Sequence, residues 1–263
     1  MAEFEHDHFR LFYADDGQGR AIVFIPGLGA SHAMFAPQWA VLGGRYRLIG
    51  PDLRGNGGSG HLAGPVGTIL DRQTDDLAKL LDNLAIDRAV MVGVSYGGVV
   101  ALHFALRHGS RAAGLVIADT FVDIDWRHPV ELGFLAGSYL GLWACYLPRP
   151  VMKAVAQRFY RRWPVAAAMI PSLVDGFRPT EAVLQSLAMN RVNYSPRLGD
   201  VRCPTLGIVG DATKTGVRFM DRAVRAIPSG RLEIIANSFD PSNLCQPEAF
   251  NALLAGYLEE LGW

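Results

Sequence analysis

One serine stands where a serine could act as a nucleophile. Ser95 is the centre of Gly93-Val94-Ser95-Tyr96-Gly97, which follows the apolar run Ala89-Val90-Met91-Val92. A G-x-S-x-G turn between a buried strand and a helix lifts the serine hydroxyl clear of a sheet. It also aims helix-start amides at whatever that hydroxyl attacks. Such a hydroxyl is a weak nucleophile near neutrality and needs a positioned base to take its proton. The usual base is a histidine, yet the last of the seven histidines is His128, so none follows in the C-terminal half. In a comparable triad, loss of the histidine costs about a million-fold in turnover, while oxyanion stabilisation and binding still leave roughly 10³ to 10⁴ over water. The spacing therefore describes a site for acyl chemistry without its customary base.

The elements that must position Ser95 follow from the hydropathy pattern. Ala21 to Ile25 is a continuous apolar run ended by Pro26-Gly27-Leu28-Gly29, as expected for a strand buried on both faces. Further strands are expected at Tyr46 to Gly50, Ala89 to Val94, Ala113 to Ala118, Thr205 to Val209 and Arg231 to Ile235. Between them, Leu70, Leu77, Leu80, Leu81 and Leu84 share one helical face, with Asp71, Asp75, Asp76 and Lys79 as its polar positions. Near the end, Phe250, Leu253, Leu254, Tyr257, Leu258 and Leu261 repeat with helical spacing. Strands alternating with helices predict an α/β fold with an open, mostly parallel sheet whose ligand sits at the carboxyl ends of the strands.

From about Val122 to Asp200 no strand is expected. Aromatics crowd this interval, and Pro148, Pro150, Pro164, Pro171 and Pro179 cut it into short helices. The division predicted is a core of residues 1–121 and 200–263, with a helical cap insertion over 122–199. The cap aromatics favour an apolar or aromatic substrate.

Totals exclude several classes of function. Lys+Arg and Asp+Glu are both 25, so net charge argues for neither nucleic acid nor a membrane as partner. No run approaches the ~20 apolar residues needed to span a bilayer, and residues 1–10 lack a signal-peptide core. Cys145, Cys203 and Cys245 have no metal or redox spacing, and a reduced, cytoplasmic protein is expected. Neither metal nor organic cofactor is implied.

Four ordered motifs give the chain a resemblance to the α/β-hydrolase superfamily, in its small esterase, haloperoxidase and C–C hydrolase branch. They are Pro26-Gly27-Leu28-Gly29, the loop from Asp52 to Ser59, the elbow at Ser95, and Gln246-Pro247-Glu248-Ala249-Phe250. The resemblance covers nearly the whole length and implies an α/β-hydrolase fold with Ser95 as nucleophile and the amides of Leu28 and Tyr96 as the oxyanion hole. Two positions depart from it. The slot for the triad acid falls on Thr213, with Asp211 two residues early, and the slot for the histidine falls on Asp240.

Three routes around the missing base follow. His32, beside the oxyanion loop, or His61, after the glycine loop, could substitute, although a pocket-wall or surface role weighs more for each; His103 reads as a core residue. Asp240 could itself act as the base if burial raises its pKa from the reference ~3.9, or it could be a turn residue in Asp-Pro-Ser-Asn. Alternatively the reaction differs. The leading expectation is an enzyme for a small, largely apolar ester, thioester or lactone, with Ser95 and Asp240 at its centre. A non-hydrolytic lyase, cyclase or isomerase with Asp240 as acid/base is the second, and a ligand-binding pseudoenzyme the third. Asp119 could keep the acid's role or be structural, Asp211 could orient a base, Asp52 and Arg54 are expected to pair, and Cys245 to be inert. A basic run, Lys153, Arg158, Arg161 and Arg162, is expected to be solvated, or to receive coenzyme A or an acyl carrier protein.

Overall fold

The computed structural model describes residues 1–263. Eight strands form one sheet: β1 (Ala2–His6), β2 (Phe9–Asp16), β3 (Ala21–Ile25), β4 (Arg47–Pro51), β5 (Ala89–Val94), β6 (Ala112–Ala118), β7 (Thr205–Gly210) and β8 (Gly230–Ile235). Their spatial order is β1-β2-β4-β3-β5-β6-β7-β8. The first two strands are antiparallel to their neighbours and the other six run parallel. All six expected strands are present, within a residue at each end. The hairpin of β1 and β2 was not anticipated. Its residues alternate between exposed and covered, with Glu3, Glu5 and Arg10 outward, the pattern of a solvated edge rather than of an apolar run.

Ten α-helices accompany the sheet: α1 (Ala36–Leu42), α2 (Ile69–Asn83), α3 (Tyr96–Arg107), α4 (Pro129–Leu140), α5 (Arg149–Tyr160), α6 (Pro164–Leu173), α7 (Pro179–Met189), α8 (Lys214–Arg225), α9 (Ser242–Cys245) and α10 (Pro247–Glu260). Alternation along β3 shows how the sheet is covered. Val23 and Ile25 pack with Leu77, Val100 and Met220 from α2, α3 and α8. Ile22 and Phe24 face the other way, onto Leu42, Phe250, Leu254 and Leu258 from α1 and α10. Because both faces are covered, every residue of β3, β5 and β7 is buried.

Two expectations about charge are corrected. Asp76 does not lie on the solvent face of α2. It is buried, its oxygens taking the Arg54 guanidinium at 2.6 and 2.9 Å and the His6 ring at 2.9 Å. Arg54 therefore pairs with Asp76 and not with Asp52, and it stacks 3.5 Å over the Phe9 ring. Asp52 instead closes its own loop, accepting from the amides of His32 and Gly58, each at 2.8 Å.

Between β6 and β7 the chain is helical. The last of these helices, α7, is tied to the body: Glu181 accepts from the Leu62 amide, and the Gln185 amide group donates to Arg54 and Asn56. By contrast, α5 contains no buried residue.

Candidate active site

Ser95 sits at the end of β5 and the start of α3 with φ 55° and ψ −119°, a left-handed backbone that a side chain adopts only under constraint. The constraint is close packing. A Cβ on Gly93 would overlap the carbonyl of Gly97, and one on Gly97 would overlap the carbonyl of Ile25. Both glycines of the motif are required so that helix and strand can meet at a tight turn. The Ser95 amide is anchored to the carbonyl of Ala118 at 2.8 Å.

The serine hydroxyl donates to Oδ2 of Asp240 at 2.9 Å. Asp240 is delivered by the loop between β8 and α9, and that loop is held from two sides. The Tyr160 hydroxyl of α5 donates to the Asp240 carbonyl at 2.8 Å, and the Trp163 indole donates to the Asn237 carbonyl at 2.7 Å. Phe239 packs between Phe159 and Trp163. From below, Asp119 accepts from the amide and hydroxyl of Ser242, at 2.6 and 2.9 Å, and from the Gly210 amide at 3.0 Å. Non-glycine residues with positive φ include Ser95, Asp119 and Asn237, so three strained positions surround one site.

Asp119 thus holds the Asp240 loop against β7; it does not anchor the start of the cap. Its environment and that of Asp240 differ in one decisive way. Burial raises the Asp119 carboxyl to about 6, opposed by three hydrogen bonds from Ser242 and Gly210. Burial raises Asp240 further, to about 8, the negative charge of Asp119 adds to the rise, and only the Ser95 hydroxyl opposes it. Of two neighbouring carboxyls, the one with three donors carries charge more readily, and the one with a single donor retains its proton to higher pH.

No histidine approaches Ser95. The His32 ring is 2.8 Å from Asp52, His61 is bonded to Glu181 with four-fifths of its side chain exposed, and His103 is satisfied by Tyr194 and Asp71. Asp211 is exposed and accepts only from the Ser238 amide, at 3.3 Å. Thr213 caps α8 by accepting from the Gly216 amide. Burial pushes the Cys245 thiol up to about 12, which leaves it unreactive.

Two cavities of about 530 Å³ meet at Ser95 and Asp240, both of which line each. One lies beneath α4 and α8, with Phe121, Phe134, Phe219 and Phe239 in its wall. The other lies beneath α5 and α6, is lined largely by aliphatic side chains, and includes Gly27, Leu28 and Gly29. The Tyr96 amide, first in α3, has no intrahelical acceptor. A carbonyl placed over Ser95 would have apolar space on both sides and helix-start amides beside its oxygen. The loop contacts of Tyr160, Trp163 and Ser242 were not foreseen from sequence; the only available signal was the aromatic crowding of the insertion.

Comparison with known proteins bears on the fold that carries this site. The family described as alpha/beta hydrolase fold matches residues 20–145. A 3-oxoadipate enol-lactonase of Acinetobacter baylyi is 29% identical over 251 residues, covering 92% of this chain and 89% of that protein. Among solved structures, an esterase from Thermogutta terrifontis superposes with a TM-score of 0.80 at 25% identity, over 96% of this chain and 94% of that one. The enol-lactonase of Burkholderia xenovorans gives 0.80 at 23% identity over 98% and 100%, a likeness of fold.

Proposed function

We propose that this chain, which has the α/β-hydrolase fold, hydrolyses a small, largely apolar ester or lactone through a Ser95–Asp240 pair. The observation that carries this reading is the 2.9 Å hydrogen bond from the Ser95 hydroxyl to the Asp240 carboxylate, at the junction of two apolar cavities. The relatives named as an enol-lactonase and an esterase support the substrate class.

In the ionised state Asp240 accepts the proton of Ser95 as the oxygen attacks the carbonyl carbon. The carbonyl π pair moves onto oxygen, facing the amides of Leu28 and Tyr96. Collapse of the adduct breaks the C–O bond, and Asp240 returns the proton to the departing alkoxide. Water repeats the sequence on the acyl-serine, Asp240 taking its proton and giving it to Ser95 as the acid leaves. A carboxylate near its reference pKa of ~3.9 would be a feeble base; one raised toward 8 is better matched to the task.

A second reading rests on the same shift. Near neutrality much of Asp240 carries a proton, which suits a hydrogen-bond donor in a lyase or isomerase whose serine is never acylated. A fluorophosphonate probe separates the two. Labelling at Ser95, with turnover abolished in Ser95→Ala, is the expected result. Absence of labelling, with Ser95→Ala retaining a substantial share of turnover on the same carbonyl substrate, would establish the alternative.

A further inference from the structure

Charge balance over the whole chain hides a sharp local imbalance. Between residues 132 and 174 there is no Asp or Glu, whereas Arg149, Lys153, Arg158, Arg161 and Arg162 all fall within that stretch. Lys153 pairs with Asp175 at 2.6 Å, from just outside the stretch, and Arg162 reaches the neutral Asn237 and stacks over Trp163, neither of them a carboxylate. Arg149, Arg158 and Arg161 are exposed and face no carboxylate. Around these cations the surface is apolar. Of the large hydrophobic residues the protein exposes, most lie between Trp126 and Phe159, among them Leu140 at 72% and Trp143 at 66% exposure. Scattered single exposures are ordinary in soluble proteins, but a contiguous patch is not.

We propose that the tip formed by α4, α5 and the turn between them docks on an anionic lipid surface. Exposed tryptophan, tyrosine and leucine with unpaired arginines and no exposed acid, the one carboxylate of α4 being the buried Glu131, are the composition of an interfacial element: apolar side chains enter the headgroup boundary while cations meet anionic headgroups. Charge complementarity favours lipid over a second copy of this chain, because two such tips would bring unpaired arginines face to face. No helix is long and apolar enough to cross the membrane, so the contact is peripheral. Position gives it a use. Val155 and Phe159 belong both to this surface and to the wall of the aliphatic cavity, so the docked tip would open that cavity toward the lipid. That last step rests on the hydrolase reading; the docking itself does not.

The test is flotation of the full chain, without substrate, with vesicles of phosphatidylcholine alone or with about one-third phosphatidylglycerol. Binding to the anionic vesicles is expected to be at least about tenfold tighter, given roughly fivefold per cation near the surface. It should weaken as salt rises from about 0.1 to about 0.5 M, and Trp143 emission should shift to the blue. Arg158→Glu combined with Arg161→Glu should reduce anionic-vesicle binding by about tenfold or more, with unchanged thermal unfolding and unchanged turnover of a water-soluble ester. Equal affinity for both vesicles, binding to neither, or indifference to the double charge reversal would overturn the proposal. So would concentration-dependent dimerisation that buries Trp143, or retention on coenzyme A without retention on vesicles. Because binding is read without substrate, a protein that docks but fails to hydrolyse would refute only the proposed reaction.

Discussion

Beneath Ser95 the protein is packed backbone against backbone, whereas above it α4 and α5 rest on the body through few covered side chains. Every residue of β5 is buried, and nine of the twelve in α3 are. In α4 only Glu131 is, and in α5 none. In the proposed reaction the difference separates two tasks. A nucleophile that must hold a strained backbone needs surroundings that cannot relax, and close-packed strands supply them. A roof that admits apolar substrates needs surfaces that can part. Even so the two are joined, where Tyr160 and Trp163 clasp the loop that carries Asp240 and where Glu131 of α4 meets Arg222 of α8.

Substitutions should therefore divide by floor and roof. The largest effect is expected for Gly97→Ala. Its new methyl would overlap the Ile25 carbonyl, which cannot move without displacing β3, so chemical denaturation should show a loss of about 3 kcal/mol or more. Next is Glu131→Ala, at the single buried seam of the roof. Burial raises the Glu131 pKa, but bonds from Arg222 and the Asp125 amide more than reverse this, and its carboxylate meets Arg222 at 2.8 Å. Glu131 is covered yet lies just under the surface, and Arg222 is partly exposed, so the expected loss is about 2 kcal/mol, below that of a deep pair. If it equals the Gly97→Ala loss, the contrast between floor and roof fails.

Asp240→Asn should act in the opposite direction. A carboxyl whose folded pKa is raised gives stability that is present below its unfolded pKa and lost as pH climbs through the folded value. Wild type should thus lose stability between about pH 4 and about pH 8 that the amide variant keeps. Because Asp240 lines two cavities the effect is softened, leaving the variant more stable by about 1–2 kcal/mol at about pH 8, or a few °C in Tm. An advantage independent of pH would remove the basis for the raised pKa. Smallest of all, Trp143→Ser at the exposed tip should change stability by no more than about 0.5 kcal/mol. A larger loss would mean that the tip is packed more firmly than its exposure implies.

How far the sequence foretold this molecule varies along the same division. Parallel strands announce themselves as unbroken apolar runs, so β3, β5 and β7 could be placed within a residue, and the elbow with them. The edge hairpin escaped because Glu3 and Glu5 interrupt β1, and Arg10, Asp15 and Asp16 interrupt β2, so neither reads as an unbroken apolar run. Asp240 could be assigned to the missing base's slot because the resemblance fixes that slot by position along the chain, which needs no knowledge of tertiary contacts. By contrast, pairings between distant segments, such as Arg54 with Asp76 or Asp119 with Ser242, leave no periodic trace; each is fixed only when the sheet brings the segments together. Charge totals are blind in another way. They average over the chain and say nothing of a 43-residue stretch from which acids are absent.

The proposed hydrolysis requires that Asp240 take the proton of Ser95. The most direct measurement is the rate of fluorophosphonate labelling at Ser95 as a function of pH, in wild type and in Asp240→Asn. The predicted wild-type rate rises with pH along a single limb centred near 8, and the variant loses both the limb and about 10² to 10⁴ of the rate. A limb near the ~6.5 of an imidazole, or a variant that labels as fast as wild type, would contradict it.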